Sequence, residues 1–251
     1  MATPIGNLGD LSRRALDALA GAETILAEDT RRTGLLLQQL DRAPQSFLSR
    51  HEHNEDRRVR TVLDHLSRGM DLALVSSAGT PLVSDPGYRV VRECRKQGFR
   101  VEPVPGPSAP VAALMASGLP PHPYTFLGFM PRRRQEQHQL LQPYAEIRTT
   151  LIFFERKSRI EASLKAAYEC LGPREACLAR ELTKQHEEFI FIRLGDWTGL
   201  PGELRGEFTV VLGPPDKDSE PTSESEVRRI LEQELQGGER PKHVAGRVTS
   251  R

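Results

Sequence analysis

The chain has 251 residues, of which 37% are hydrophobic and 27% are charged, a balance typical of soluble proteins with one large or two modest cores. No apolar stretch reaches the length of a membrane span, and the N-terminus lacks the basic start and apolar run of a signal peptide. These features exclude a membrane-spanning chain and favour a cytoplasmic location. The net charge of +1 means that a nucleic-acid partner would need a local basic patch.

The three cysteines are an odd number without the spacing of a metal site, so we expect free thiols.

The first half of the chain alternates helical and strand patterns. Asp10 can cap a helix that runs to residue 20, and Asn54 can cap a second helix over residues 55–68. Asp85-Pro86 is expected to open a third helix, which Gly98 ends. Strands are predicted at residues 24–27, 72–75 and 100–104. Strands that alternate with helices indicate an α/β fold with a mainly parallel sheet.

The second half of the chain is richer in strands. Candidate strands lie at residues 125–129, 149–154, 175–179, 186–194 and 206–212, with helices at 135–141 and 158–171. This pattern predicts a second α/β domain with a mixed sheet. We place the domains at residues 1–119 and 120–213. Residues 214–251 are predicted to form a linker followed by an incomplete helical module, with helices over 225–236 and from 242.

Four segments rich in small residues or proline follow a strand or precede the first helix. They are residues 3–8, 27–32, 76–81 and 105–109. Ligands of parallel α/β sheets bind beyond the carboxyl ends of the strands, and small residues let a ligand approach the backbone. Each segment alone could be a turn with a helix cap, but together they favour a shared pocket. Neither a phosphate loop nor a G-x-G-x-x-G motif is present, which disfavours an NTPase or an ordinary dinucleotide enzyme.

The order and spacing of these motifs resemble the ribosomal RNA small subunit methyltransferase I family, a branch of the tetrapyrrole methylases. The motifs are Thr3-Pro4-Ile5-Gly6-Asn7-Leu8, Ala27-Glu28-Asp29-Thr30-Arg31, His51-Glu52-His53-Asn54-Glu55, Ala78-Gly79-Thr80-Pro81 with Asp85-Pro86-Gly87, Pro105-Gly106-Pro107-Ser108-Ala109 and Ala179-Arg180-Glu181-Leu182-Thr183-Lys184. The resemblance implies two α/β domains with S-adenosylmethionine in the cleft between them, and a homodimer. It also implies methyl transfer to the 2′-oxygen of a cytidine in 16S ribosomal RNA.

The same resemblance assigns a cofactor pocket. Its residues would be Pro4, Ala78, Gly79, Thr80, Val83, Ser108, Ala109, Phe154, Glu155, Leu182 and Thr183. Small residues and exposed backbone groups can hydrogen-bond an adenine edge, a ribose and an amino-acid tail without crowding.

A sugar hydroxyl is a poor nucleophile, so a base or a neighbouring cation would assist its attack on a sulfonium methyl group. Glu181 and Lys184 lie about one helical turn apart, and Asp29 and Arg31 follow a strand. These four residues are the catalytic candidates. An ordinary surface ion pair is the alternative for Glu181 and Lys184.

Two arginine-rich clusters are candidate RNA contacts. They comprise Arg132, Arg133, Arg134, Arg156, Lys157 and Arg159, and a solvated charged face is the alternative reading. Phe129 could stack on an unstacked base. The segment His51-Glu52-His53 lacks an evident third ligand, so we expect no metal site and assign it to helix entry or RNA contact.

The chain departs from the family pattern at several places. Ser77 stands where the family usually carries Asp, and Arg156-Lys157-Ser158-Arg159 replaces a usual Ser-Pro-His-Arg. Relatives begin with a short apolar strand before the first loop and end with a longer helical module. From this we expect a chain shortened at both ends.

Two other functions remain open from the sequence. One is methylation of a tetrapyrrole such as a precorrin on the same fold, although the Gly-rich first loop and Gly-Asp-Pro typical of such enzymes are missing. The other is a non-catalytic RNA- or ribosome-binding protein, which would not bind S-adenosylmethionine.

Overall fold

The computed structural model describes residues 1–41, 46–49, 55–196, 200 and 206–216. Its helices are α1 (Arg13–Gly21), α2 (Thr30–Gln39), α3 (Glu55–Ser67), α4 (Tyr88–Lys96), α5 (Ala109–Ala116), α6 (Arg134–Leu141) and α7 (Ile160–Leu171). Its strands are β1 (Thr24–Ala27), β2 (Phe47–Ser49), β3 (Leu72–Val75), β4 (Tyr124–Phe129), β5 (Thr150–Arg156), β6 (Glu175–Arg180), β7 (Glu188–Arg193) and β8 (Glu207–Leu212). Short 3₁₀ turns lie at Leu8–Asp10 and Gln142–Tyr144.

The first sheet is parallel, with strand order β2-β1-β3. Its central strand is buried on both faces, as a parallel strand between two helical layers should be. Ile25 packs on one face with residues of α1 and α2, whereas Leu26 packs on the other face with residues of α3 and α4. This alternation confirms the predicted parallel α/β unit.

The second sheet is mixed, with strand order β4-β5-β8-β6-β7. Strands β4 and β5 are parallel, and the other pairs are antiparallel. On one face of the sheet, Phe153 and Leu178 pack against residues of α6 and α7. On the other face, Val211 packs against Ala113 and Leu114 of α5. The predicted mixed sheet is therefore confirmed, as are the positions of its five strands and two helices.

A buried arginine ties the second sheet to its connections. The Arg174 side chain is fully buried and donates to four backbone carbonyls, those of Leu171, Gly213, Tyr144 and Ala145. Burial lowers the pKa of its guanidinium from the usual value.

The first three residues lie beside the first sheet. The amino group of Met1 donates to the Leu74 carbonyl at 2.8 Å, and the Ala2 N–H donates to the Val104 carbonyl at 3.1 Å. Thr3 and Gly79 exchange backbone hydrogen bonds of 2.9 and 3.0 Å. The residues before the first loop are thereby fixed between β3 and residues 101–104.

Three local predictions in the first half are wrong. Residues 100–104 form no strand, because Pro103 and Pro105 lack the N–H groups that a sheet ladder needs. Helix α1 begins at Arg13, where the Ser12 hydroxyl accepts the Ala15 N–H, so Asp10 is not its cap.

The helix predicted to begin at Asp85-Pro86 begins only at Tyr88. Gly87 has a φ of +130°, which is not helical, so residues 85–87 lie outside the helix. Gly98, with a φ of +80°, follows its end as predicted.

Several predictions lie outside the described residues. They concern Asn54 as a cap, the segment His51-Glu52-His53, and the helices over 225–236 and from 242.

All three cysteines are free thiols, as the sequence predicts, and Cys94 and Cys177 are buried. Within the described ranges, no helix is long and apolar enough to cross a membrane.

Candidate functional site

A cavity of about 920 Å³ opens between the two sheets. One wall comes from the segments that follow β1 and β3, including Glu28, Asp29, Arg32 and residues 77–80. The other wall comes from β4, β5, β8 and the segment after β6. The cavity thus lies beyond the carboxyl ends of the parallel strands, where α/β proteins bind ligands.

Three of the predicted loops are joined at the floor of the cavity. Gly79 is bonded to Thr3, and the Ser76 hydroxyl donates to the Gly79 carbonyl at 2.6 Å. The Thr80 hydroxyl donates to the Pro107 carbonyl at 3.0 Å.

The backbone at position 79 favours glycine. Its φ is +78°, and a Cβ there would lie 3.2 Å from Ile5 Cγ2. The predicted residues Ala78, Gly79, Thr80, Val83, Ser108 and Ala109 all line this part of the cavity.

An acidic corner lies beside this floor. The Ser77 hydroxyl donates to Glu28 Oε2 at 2.9 Å, and both residues line the cavity. A serine at this position therefore keeps one hydrogen bond to the opposite loop. A second acid directly facing Glu28 would instead repel it.

Asp29 and Arg31 have different positions. Asp29 caps α2, where its carboxylate accepts the N–H groups of Arg31 at 2.9 Å and Arg32 at 3.3 Å. These backbone hydrogen bonds, that of Arg32 first, lower the pKa of Asp29 from its usual value and make it a poorer base. Asp29 lines the cavity, and so does Arg32, which was not among the catalytic candidates. Arg31 is exposed on α2 and does not line the cavity.

Glu181 and Lys184 form an ion pair on the opposite wall. The Lys184 Nζ lies 3.2 and 3.1 Å from the two Glu181 carboxylate oxygens, and both residues line the cavity. Glu181 has a φ of +50° and Thr183 one of +64°, conformations that are costly for residues with a Cβ. Such strain is held by the surroundings and is common at functional sites.

The first loop presses directly on this strained segment. A Cβ at Gly6 would lie 2.6 Å from Lys184 Cγ, 2.8 Å from the Leu182 carbonyl and 2.9 Å from Thr183 Oγ1. Ile5 and Leu182 line the cavity, whereas Pro4 and Thr183 do not. The Thr183 hydroxyl is buried and finds no hydrogen-bond partner among the described residues.

Aromatic side chains line the edge near β4 and β5. The Phe154 ring lies 5.1 Å from the ring centroids of both Phe126 and Phe129. Phe129 is 50% exposed and lines the cavity, together with Phe154 and Arg156. An exposed ring in a cavity that also holds a cation can receive a planar group.

Glu155 faces away from the cavity. On β5, Phe154 and Arg156 line the cavity, so Glu155 between them points to the opposite face, beside α7. There its buried carboxylate accepts the Ser163 hydroxyl at 2.5 Å and pairs with Arg159 at 2.6 Å. The two-residue period of a strand was the signal in the sequence that could have placed Glu155 on the opposite face from Phe154 and Arg156.

The remaining basic candidates lie outside the cavity. Arg134 pairs with Glu169 at 2.6 Å and Arg133 with Glu136 at 3.6 Å. The Arg134 guanidinium lowers the pKa of Glu169, chiefly by its hydrogen bond. The exposed residues Arg132, Arg133, Arg134 and Lys157, and the partly buried Arg159, do not line the cavity. Arg156 is the one member of the two predicted clusters that does.

Sequence reasoning missed several lining residues. They are Ile5, Glu28, Arg32, Ser84, Asp85, Pro110, Ala179 and the segment Gly206–Thr209. Glu28 could have been selected, because it stands within a recognised motif. The β8 residues reach the cavity only through long-range antiparallel pairing with β5 and β6, which leaves no local signal. Among the described residues, no group of three His, Cys, Asp or Glu side chains is placed to hold a metal ion.

Solved structures share this architecture. The methyltransferase CobJ superposes with a TM-score of 0.62 at 19% identity, over 84% of this chain and 91% of that one. Uroporphyrin-III C-methyl transferase from Thermus thermophilus, solved with S-adenyl homocysteine, superposes with a TM-score of 0.57 at 24% identity, over 84% and 94%. These similarities show that the chain has the fold of these methyltransferases.

The family model of the Tetrapyrrole (Corrin/Porphyrin) Methylases matches residues 2–198. Ribosomal RNA small subunit methyltransferase I of Vibrio cholerae is 47% identical over 74% of this chain, a match that spans 64% of that relative. Its counterpart in Mesorhizobium japonicum is 42% identical over 92% of this chain and 79% of its own length. The chain belongs to the tetrapyrrole methylase family, in the branch of ribosomal RNA small subunit methyltransferase I, which confirms the resemblance drawn from its motifs.

Proposed function

We propose that this chain transfers a methyl group from S-adenosylmethionine to the ribose 2′-oxygen of a cytidine in 16S ribosomal RNA of the small subunit. The observation that carries the proposal is one cavity in which a backbone-lined floor faces the Glu181–Lys184 pair. Relatives that are 40–47% identical and bear the name ribosomal RNA small subunit methyltransferase I support the choice of substrate. Ribosomal subunits are a cytoplasmic substrate, so the proposal includes a cytoplasmic location.

The cavity fits S-adenosylmethionine in size and chemistry. Its volume of about 920 Å³ is at the upper end of ligand pockets, leaving room for the cofactor and one nucleotide. A cradle at Gly79 that a Cβ would crowd permits close approach to the backbone. In this proposal Ala78, Thr80, Val83, Ser108, Ala109, Phe154 and Leu182 contact the cofactor, whereas Pro4, Glu155 and Thr183 support the wall from behind.

The bound cofactor supplies an electrophilic methyl group on a sulfonium. The chain holds the ribose hydroxyl in line with that group. Glu181 accepts the hydroxyl proton as the new oxygen–carbon bond forms and the sulfur–carbon bond breaks. The Lys184 ammonium, 3.1 Å from Glu181, stabilises the negative charge that develops on the oxygen. Asp29 acts as a helix cap in this scheme, and Arg31 acts outside the cavity.

The RNA enters from the side of Phe129 and Arg156. The exposed Phe129 ring stacks on the unstacked base, and Arg156 binds an adjoining phosphate. Arg132, Arg133, Arg134 and Lys157 contact phosphates farther from the target nucleotide, whereas Arg159 is engaged with Glu155.

The test is methyl transfer from labelled S-adenosylmethionine to unmethylated small ribosomal subunits, with the product mapped. We expect incorporation at a single cytidine ribose. Lys184→Gln should lower kcat by about 100-fold or more while cofactor affinity, measured by calorimetry, is unchanged. Lys165→Gln, which removes an exposed lysine of α7, is the matched control and should be silent.

Two results would contradict the proposal. Cofactor binding without transfer to the subunits, but with transfer to a precorrin, would point to tetrapyrrole methylation. A chain that binds subunits and ignores S-adenosylmethionine would be a non-catalytic binding protein.

The proposal also includes a homodimer. Helix α5 is apolar on every side, and its outer residues Val111 and Met115 are 51% and 83% exposed. Leu82, which is 38% exposed, adds to the exposed apolar surface of the chain. Exposed apolar residues on one helix face are typical of a subunit interface.

A further inference from the structure

Helix α4 concentrates positive charge on its outer face. Its nine residues include Arg89, Arg92, Arg95 and Lys96 against a single acid, Glu93, in a chain whose net charge is only +1. Val90 and Cys94 are buried in the core against β1 and α3, which fixes the orientation of the helix. All four cations are consequently exposed.

This face begins at the rim of the cavity. Ser84 and Asp85 line the cavity, and α4 starts three residues later, after the cap residue Gly87. A helix of this length extends about 13 Å, so its cations form a track that leads away from the site. The basic residues proposed above as RNA contacts all lie in the part of the chain that carries the second sheet, whereas α4 packs against the first sheet.

An aromatic residue stands at the start of the track. Tyr88 is 63% exposed, and the guanidinium carbon of Arg92 lies 5.9 Å from the centroid of its ring. Exposed rings beside cations are the means by which proteins hold unstacked nucleotides, since the ring stacks on a base and the cation binds a phosphate.

We propose that the outer face of α4, comprising Tyr88, Arg89, Arg92, Arg95 and Lys96, binds the ribosomal RNA strand that flanks the target nucleotide. The cations bind backbone phosphates, and Tyr88 stacks on a flanking base. This inference rests on the proposed function and deepens it, because the RNA is then held from both sides of the cavity. The phosphate contacts position the strand and carry no sequence information.

The test compares Arg92→Gln/Arg95→Gln with Arg13→Gln/Arg68→Gln in the full chain. Each variant replaces two arginines by glutamine, so both lose the same net charge. The control arginines are exposed on α1 and directly after α3, where they pair with Asp17 and Asp64. The probes are whole small subunits and a protein-free fragment of their RNA.

For the α4 variant we expect at least a tenfold weaker affinity for both probes, with unchanged affinity for S-adenosylmethionine. The slope of log affinity against log salt should fall by about 1.4, since each phosphate contact with single-stranded RNA contributes about 0.7. Tyr88→Ala should weaken binding without changing this slope, because stacking releases no counterions.

Equal losses in the control variant would overturn the inference, since the effect would then come from overall charge. A loss confined to whole subunits would also overturn it, because the partner of α4 would then be a ribosomal protein. RNA binding that depends on α4 in a wild-type chain that transfers no methyl group would support the inference and contradict the proposed function.

Discussion

Asp29 and Glu155 are two acids, selected from the family resemblance, whose carboxylates support the fold in the structure. The Asp29 carboxylate accepts two backbone N–H groups at the start of α2. The buried Glu155 carboxylate accepts the Ser163 hydroxyl and forms an ion pair with Arg159. The family resemblance located both residues near the site. It could not predict their partners, because a helix cap and a buried pair depend on where α2 and α7 begin.

Replacing Asp29 tests its role as a cap. Asp29→Ala should lower the melting temperature, whereas Asp29→Ser should retain most of it, because a serine hydroxyl also accepts the N–H groups of a first turn. Circular dichroism melts of the two variants measure this difference at pH 7. A loss of methyl transfer in Asp29→Ser without a change in melting temperature would instead indicate a catalytic role.

The capping contribution of Asp29 has a defined pH dependence. The folded chain holds the pKa of Asp29 below its usual value of 3.8, so the ionised cap stabilises the fold fully above that pH. The contribution is lost as the pH falls through the lower folded-state value. The difference between wild type and Asp29→Ala should therefore be constant near neutral pH and should narrow below pH 3.8 in acid-unfolding curves.

At the scale of elements, the contact between the first loop and the segment after β6 joins the two units at the site. Gly6 leaves no room for a Cβ, since Lys184 Cγ and the Leu182 carbonyl would lie within 2.8 Å of it. Because part of this contact is backbone, it cannot be relieved by a side-chain rotation. The close approach therefore fixes the position of the strained Glu181–Lys184 segment relative to the first loop.

Gly6→Ala should separate these two elements. We expect a stability loss of about 1–3 kcal/mol from overpacking, and a fall in kcat because Lys184 is displaced. Urea unfolding and methyl-transfer kinetics measure the two effects. Gly34→Ala is the control, since a Cβ there meets nothing within 4 Å on a helix that alanine favours. Unchanged kinetics in Gly6→Ala would show that the contact does not position Lys184.

The elements that the sequence predicted correctly have strong periodicity or short apolar runs, such as β3, α3 and the five strands of the second sheet. Helix α5 was missed because it is apolar on every side and shows no amphipathic period. Helix α2 was missed because its start lies within the motif at residues 27–32 and Gly34 interrupts it. The false strand at 100–104 shows that prolines within and directly after a segment outweigh an alternating pattern.

At the scale of the whole molecule, the cavity exists only because two sheets meet. The motifs of the first unit predicted one wall well, since parallel strands deliver their exits to one edge. The other wall includes Gly206–Thr209, which β8 brings into place by inserting between β5 and β6. No local pattern encodes that insertion, because it depends on pairing between residues more than 25 positions apart.

Assembly is the prediction that belongs to this scale. The wild-type chain should sediment as a dimer, and Met115→Asp should shift it towards the monomer, because an acid would be buried in an apolar interface. Leu35→Asp, on the exposed face of α2, is the control and should leave the dimer intact. Analytical ultracentrifugation distinguishes these outcomes, and a monomeric wild type would refute the proposed dimer.

Helix α5 also limits how this molecule can be recombined. It precedes the boundary proposed near residue 119, yet it covers Ile152, Cys177 and Val211 of the second sheet. An exchange of halves between two relatives at that boundary would set the helix of one parent on the sheet of the other. A crossover placed before Ala109 keeps helix and sheet from the same parent, so chimeras joined there should be more stable than chimeras joined near residue 119.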